Sequence, residues 1–159
     1  MIVLVWAESA NGVIGKGGKI PWEVPLDLKN FKKLTKNQIL LMGSKTYNSI
    51  DRELPKQKTI ILTTDPASYK KCLVADNIGW AVEYANSRGQ DLVVVGGKSV
   101  YEQCMPLANV LYQTVIDVVV NGGDTIAPKI PNGFNRVRTV VQTCPESHVK
   151  IKTNTYIKK

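Results

Sequence analysis

Histidine is nearly missing from this chain of 159 residues, which contains only His148. Cysteine is also scarce, and Cys72, Cys104 and Cys144 lie far apart. An odd number of widely spaced cysteines argues against a disulfide framework and against a metal-ligand cluster. We therefore expect no metal, no histidine-based acid or base chemistry, and a reducing cytoplasm as the compartment.

Long hydrophobic runs are missing as well, since none approaches the roughly 20 residues that cross a bilayer. Residues 1–6 lack the basic segment and the small-residue cleavage site of a secretory signal, and they predict a strand instead. With 43% hydrophobic residues the chain can bury one core. We expect a single domain over residues 1–159, no membrane association and a monomer.

Acidic residues are few: 13 Asp and Glu stand against 21 Lys and Arg, for a formal charge of +8. A basic chain suits polyanionic partners, but no Arg-rich helix or aromatic-interleaved basic motif indicates a nucleic-acid reader. The charge also suits a phosphorylated cofactor with a carboxylated substrate. A plain basic surface, or a noncatalytic nucleotide-binding or RNA-binding protein, stays open at this point.

The hydrophobic pattern alternates between strands and helices. Strands are predicted at 2–7, 39–42, 58–63, 91–95 and 110–118, and helices at 25–35, 44–50, 79–88 and 98–105. This alternation predicts an α/β fold with a mostly parallel sheet. Residues 134–143 and 148–157 predict a closing antiparallel hairpin. Residues 12–24 carry four glycines and predict a long loop, of the kind that forms functional lids.

Asp27 is the only acid between Pro25 and Asp51. Helical spacing puts Asp27, Leu28 and Phe31 close to one face, so a carboxylate would lie at the edge of an apolar wall. Such a lone acid can bind a flat, hydrogen-bonding heterocycle. The alternative interpretation is a first-turn acid favoured by the helix dipole, behind a Pro at the helix start.

Two strands run into glycine and then into a predicted helix. One is followed by Gly96-Gly97, and the other ends in Met42-Gly43-Ser44-Lys45-Thr46. Glycine lets the backbone approach a ligand closely, and a helix start offers unpaired N–H groups to a pyrophosphate. Each motif alone is weak, because Gly-Gly often only turns a chain and Ser44 can be an ordinary N-cap.

The order and spacing of these pieces resemble the bacterial dihydrofolate reductase family over essentially the whole chain. The matching motifs are Val13-Ile14-Gly15, Ile20-Pro21-Trp22, Leu26 through Phe31, Met42-Gly43 with Thr46, Ser49-Ile50, Arg52 with Leu54-Pro55, Val95-Gly96-Gly97 with Tyr101-Glu102-Gln103, Leu111-Tyr112-Gln113-Thr114 with Ile116-Asp117, and Gly123-Asp124-Thr125. Together they are highly specific, whereas any single fragment is not.

This resemblance implies a fold and a reaction. The fold is a single α/β domain with a twisted, mostly parallel sheet, about four flanking helices and an adenosine-binding subdomain over roughly 38–90. The reaction is NADPH-dependent reduction of dihydrofolate to tetrahydrofolate, with hydride transfer from nicotinamide C4 to pterin C6 and protonation of N5. The protein's part is orientation and electrostatics, since the cofactor carries the chemistry.

The resemblance also implies roles for individual residues. Asp27 would accept bonds from the pterin 2-amino group and N3, Thr114 would hold it in register, and Trp22 would act through water. The implied substrate-binding residues are Val5, Trp6, Ala7, Asp27, Leu28, Phe31, Ile50, Arg52, Leu54, Val95 and Thr114. The implied NADPH-binding residues are Ala7, Ile14, Gly15, Ile20, Gly43, Ser44, Lys45, Thr46, Leu62, Thr63, Thr64, Val95, Gly96, Gly97, Lys98, Ser99, Val100, Tyr101 and Thr125.

Three positions bear on specificity and on the lid. Gln57 stands where the family usually has an arginine for the substrate's glutamate carboxylate, so a pterin without that tail stays an alternative substrate. Ser44 replaces an arginine that many relatives use for the 2′-phosphate, a task that Lys45 and the threonines can take over. Residues 15–24 would form a lid over the nicotinamide, with Asp124 latching it through backbone N–H groups.

Overall fold

The computed structural model describes residues 1–50, 58–69 and 72–159. The strands in these ranges are β1 (Ile2–Ser9), β2 (Val13–Gly15), β3 (Ile39–Gly43), β4 (Thr59–Leu62), β5 (Leu73–Ala75), β6 (Leu92–Val94), β7 (Val110–Ile116), β8 (Thr125–Ile126), β9 (Phe134–Thr143) and β10 (Lys150–Lys158). The helices are α1 (Pro25–Thr35), α2 (Ser44–Ser49), α3 (Ile78–Ser87) and α4 (Lys98–Cys104), with 3-10 turns at Pro66–Tyr69 and Met105–Leu107.

Eight of the described strands form one sheet in the order β5-β4-β3-β6-β1-β7-β10-β9. All pairs from β5 to β7 are parallel, and β10 pairs antiparallel with both β7 and β9. The predicted α/β fold with a C-terminal antiparallel hairpin is confirmed. The apolar run at the start of the chain becomes β1, which lies between β6 and β7 and is covered on both sides, as such runs require.

Helices cover the two faces of the sheet. Val3 and Val5 of β1 lie on what we call the front face, where they pack with side chains of α1 and α2. Leu4 and Trp6 point the other way, to the back face, where α3 and α4 bury their apolar sides. None of the helices in the described part of the chain is long and apolar enough to cross a membrane.

The prediction of an unbroken loop over 12–24 was wrong, because β2 lies within it. β2 pairs antiparallel with β8, which follows more than a hundred residues later. Strands of two or three residues, such as β2, β5 and β8, are too short to show a period-2 pattern. Only their distant partners define them.

Candidate active site

Asp27 lies in the first turn of α1, behind Pro25 at the helix start. Its half-buried carboxylate accepts a hydrogen bond from Trp22 Nε1 at 3.3 Å through Oδ2. The water-mediated contact expected for Trp22 is therefore corrected to a direct one. Burial raises the pKa of the Asp27 carboxyl above its ordinary value, and the bond from Trp22 offsets only part of that rise.

An apolar wall lies beside this carboxylate on the front face. Of the predicted substrate-binding residues, Val5, Phe31, Ile50 and Val95 pack in one cluster. Leu28 is 44% exposed and is not packed in this cluster, and its contact with substrate stays a prediction. The sequence interpretation missed three further half-buried members, which are Leu34, Tyr47 and Tyr112. The spacing of Asp27, Phe31 and Leu34 along α1 is the helical signal that could have found the first of these.

Thr114 lies on β7, opposite Ala7 of β1 and Thr153 of β10. Its buried hydroxyl is 3.3 Å from the hydroxyl of Thr153. The resemblance implies that Thr114 holds Asp27 and the pterin amino group in register, and this role stays a prediction. The structure shows that Thr114 adds a hydroxyl to the front face beside that of Thr153.

The side chains of Trp6 and Tyr101 lie behind β1, and their predicted ligand contacts stay predictions. The side chain of Trp6 is buried on the back face and packs on Tyr101, with ring centroids 5.8 Å apart. The hydroxyl of Tyr101 donates to the carbonyl oxygen of Val5 at 2.7 Å. Both side chains therefore support β1 from behind, whereas Ala7 packs with the Trp22 side of the pocket.

A glycine-lined surface joins the ends of β3 and β6. Gly43 N–H donates to the carbonyl of Gly96 at 2.9 Å. A Cβ at Gly96 would lie 3.0 Å from Thr46 Oγ1, and one at Gly97 would lie 3.3 Å from the same atom. Gly43 precedes α2 as its N-cap residue without a side-chain cap bond, so the interpretation of Ser44 as the N-cap was wrong.

The remaining predicted cofactor contacts surround this glycine surface or the lid. Lys45, Thr64 and Ser99 are exposed, while Ile14, Gly15, Ser44, Thr46, Leu62, Thr63, Lys98 and Thr125 are half-buried and Val100 is buried. Ile20 is 64% exposed. Arg52, Leu54 and Gln57 lie outside the described residues.

Asp124 connects the lid, residues 15–24, to the segment before β8. Its Oδ2 accepts the N–H of Gly17 at 2.8 Å, and its own N–H donates to the carbonyl of Gly15 at 3.1 Å. Thr125 Oγ1 donates to Oδ1 at 2.9 Å. The bond from Gly17, followed by the bond from Thr125, lowers the pKa of the Asp124 carboxyl. The predicted acceptance of a lid N–H by Asp124 is confirmed.

Gly123 provides a stability test of this lid contact. A Cβ at this position would lie 2.8 Å from Cγ2 of buried Val13 and closer still to its Cγ1. We expect Gly123→Ala to lower the free energy of unfolding by about 1–3 kcal/mol, as overpacking does. In urea denaturation, a second change, Val13→Ala, is expected to recover part of that loss. If the losses of unfolding free energy in Gly123→Ala and Val13→Ala simply add in the double variant, the clash between these two side chains is not the cause.

The raised pKa of Asp27 predicts that the free energy of unfolding depends on pH. Its pKa is raised in the folded protein, so between the unfolded value of about 3.9 and the folded value the native state holds a proton that the unfolded chain has released. Unfolding then releases a proton, and stability falls as pH rises through that window. Asp27→Asn removes this effect. The unfolding free energy of the variant minus that of wild type should grow from about pH 4 upwards and then level off; a difference independent of pH would contradict the raised pKa.

The chain matches known proteins over almost its full length. A family model described as dihydrofolate reductase matches residues 1–158. A dihydrofolate reductase of Enterococcus faecium is 35% identical over 133 residues, which cover 82% of this chain and 79% of that protein. One of Lactococcus lactis subsp. lactis is 32% identical over 160 residues, covering 98% and 92%. A solved structure of dihydrofolate reductase from Enterococcus faecalis, complexed with NADP(H) and RAB-propyl, has a TM-score of 0.90 and 34% identity, covering 100% of this chain and 96% of that one.

Proposed function

Because the chain belongs to the dihydrofolate reductase family, we propose that it reduces dihydrofolate to tetrahydrofolate with NADPH. The observation that carries this function is the half-buried carboxylate of Asp27 at the edge of the apolar front-face cluster. A binding module without catalysis has no need of a desolvated acid in its pocket.

Asp27 recognises the pterin as a hydrogen-bond acceptor. Its carboxylate takes the 2-amino group and ring N3, and Phe31 and Ile50 enclose the flat ring by apolar contact. A negative charge in a desolvated cleft interacts strongly with its partner, so the same group favours protonation of the bound ring at N5. The direct bond from Trp22 fixes the orientation of the carboxylate.

The glycine surface suits a pyrophosphate, because Gly96 and Gly97 lead from β6 into the start of α4 and only residues without a Cβ let this backbone lie so close to Thr46 at the start of α2. We assign the pyrophosphate to residues 96–100, the 2′-phosphate end to Lys45 and Thr46, and the nicotinamide to Ala7 and Ile14. NADPH supplies the hydride from nicotinamide C4 that reduces pterin C6. Residues 38–90 then form the adenosine-binding part of one domain that spans residues 1–159.

The reaction is tested by NADPH oxidation with dihydrofolate, run beside a dihydropterin that lacks the glutamate tail. Turnover of dihydrofolate with weak use of the truncated compound supports the proposal. Preference for the truncated compound would keep the hydride chemistry and move the substrate away from folate, as Gln57 permits. Oxidation of NADPH with neither compound would contradict the proposed function.

We further propose a monomer in the cytoplasm that needs no nucleic acid or membrane. All three cysteines are unpaired, and two of them, Cys104 and Cys144, are buried. Burial raises the pKa of the Cys104 thiol to about 11, so this thiol stays protonated and inert. Sedimentation at several protein concentrations tests the monomer, and a mass that rises with concentration would contradict it.

A further inference from the structure

A row of polar side chains crosses the back face of the sheet. Trp6, Gln113, Asn154 and Thr139 are register neighbours on β1, β7, β10 and β9. Thr139 Oγ1 donates to Asn154 Oδ1 at 2.8 Å, and Asn154 Nδ2 donates to Gln113 Oε1 at 3.1 Å. The row closes at Glu8, whose Oε1 accepts Gln113 Nε2 at 2.7 Å and Trp6 Nε1 at 3.0 Å. We call these five residues the back-face network.

The back-face network is connected at every step. Asn154 is only 3% exposed and Trp6 only 4%, so an unpaired amide or indole N–H there would carry a desolvation penalty. Gln113 accepts a hydrogen bond from Asn154 through Oε1 and donates one to Glu8 through Nε2, and the two bonds together fix the orientation of its side-chain amide. Glu8 and Gln113 are half-buried and Thr139 is exposed. A network whose buried members each have a hydrogen-bond partner holds one arrangement of side chains.

One end of this network reaches the functional site. The Trp6 indole, held by Glu8, packs on the ring of Tyr101. The Tyr101 hydroxyl donates to the carbonyl of Val5 and lies 3.6 Å from the Cβ position at Gly96. Tyr101 therefore lies between the back-face network and two parts of the site, the front-face strand and the glycine surface.

We propose that Glu8 and Gln113 are positioning residues for the cofactor end of the site and act through Trp6 on Tyr101. The proposal rests on the proposed function, because it needs a nucleotide bound beside Gly96. Without the acceptor at Glu8, the buried indole N–H loses its partner and the indole turns toward another one. Tyr101 then loses its packing neighbour, and the backbone at Val5 and Gly96 is held less firmly.

Three variants distinguish a role of Glu8 in positioning the cofactor end of the site from a role in stabilising the fold as a whole. Glu8→Leu removes the acceptor, whereas Glu8→Gln keeps an oxygen that can accept both donors. Lys152→Leu is the matched control, because exposed Lys152 and Glu8 are both register neighbours of Val115 and so lie in one cross-strand row. For each variant we would measure the NADP⁺ dissociation constant by calorimetry, the KM for dihydrofolate and the melting temperature.

Glu8→Leu is expected to weaken NADP⁺ binding on the order of tenfold, the size of indirect coupling through packed side chains. The KM for dihydrofolate should change less than the NADP⁺ affinity, because the Val5 side chain keeps its packing against α1 and α2 on the front face. Glu8→Gln should bind NADP⁺ like wild type, and so should Lys152→Leu. A lower melting temperature of Glu8→Leu with unchanged NADP⁺ affinity would overturn the proposal and leave the network a purely structural one.

Equal loss of NADP⁺ affinity in Glu8→Gln and Glu8→Leu would also overturn it, since the oxygen acceptor would then not be the cause. Failure of the proposed function gives a different result. In that case wild type binds NADP⁺ in the calorimeter but does not oxidise NADPH with dihydrofolate, and the comparison of variants by NADP⁺ affinity still holds.

Discussion

Asp27→Asn is expected to lower the turnover of dihydrofolate by about 10²- to 10⁴-fold, the usual contribution of a group that assists proton transfer. Asparagine has the same size and keeps an oxygen that accepts the bond from Trp22, so the pocket should keep its shape. The amide carries no charge, and it cannot accept both the 2-amino group and N3 of the pterin. The NADP⁺ dissociation constant should stay within about twofold, because the glycine surface is untouched.

Single-turnover kinetics measure the expected loss in hydride transfer, and an NADP⁺ titration measures the expected lack of change in the dissociation constant. Glu83→Gln, at an exposed position of α3, is the control for loss of one carboxylate, and it should behave as wild type. The less active Asp27→Asn should also be the more stable protein at neutral pH, because it no longer buries an ionised acid. Unchanged turnover in this variant would show that Asp27 does not hold the substrate.

Gly96→Ala is expected to weaken NADP⁺ binding by about 100-fold, as misplacement of binding groups by about 1 Å does. Gly96 has a φ of +137°, a region that residues with a Cβ rarely adopt. The added methyl would also lie 3.0 Å from Thr46 Oγ1 and 3.3 Å from its Cγ2. Relief of these contacts moves α2 and the backbone at Gly96, both of which form the proposed phosphate site.

The same change should lower the free energy of unfolding by about 1–3 kcal/mol, the range for a residue forced into such a conformation. Gly133→Ala is the control, since its Cβ would meet open space. Gly97→Ala should fall between the two, because its Cβ would lie 3.3 Å from Thr46 Oγ1. Wild-type affinity for NADP⁺ in Gly96→Ala would place the pyrophosphate elsewhere.

Local chemistry made much of the fold predictable. Pro25 fixes the start of α1, and the apolar spacing along the helix carries it to Thr35, where both the prediction and the structure end it. β1 and the two strand–glycine–helix units were likewise visible, because each depends on residues close together in the chain. The position of Asp27 at the edge of an apolar wall follows from the same helical spacing.

Contacts between polar side chains were harder to predict. Thr114 pairs with Thr153 and Trp22 bonds Asp27 directly, and neither contact follows from a hydrophobic pattern. The back-face network needs the register of four strands, which a sequence pattern does not specify when polar residues point toward a covered face.

The order of strands in the sheet bears on how the enzyme is made on the ribosome. β1 gains its second neighbour only when β7 is complete, and the threonine pair at the pocket needs β10, near the other end of the chain. Asp27 is thus synthesised long before Thr153, the partner of Thr114 on the same face. A nascent chain therefore carries Asp27 without a finished pocket until β10 has emerged, and during that interval its unpaired apolar strands are exposed to aggregation.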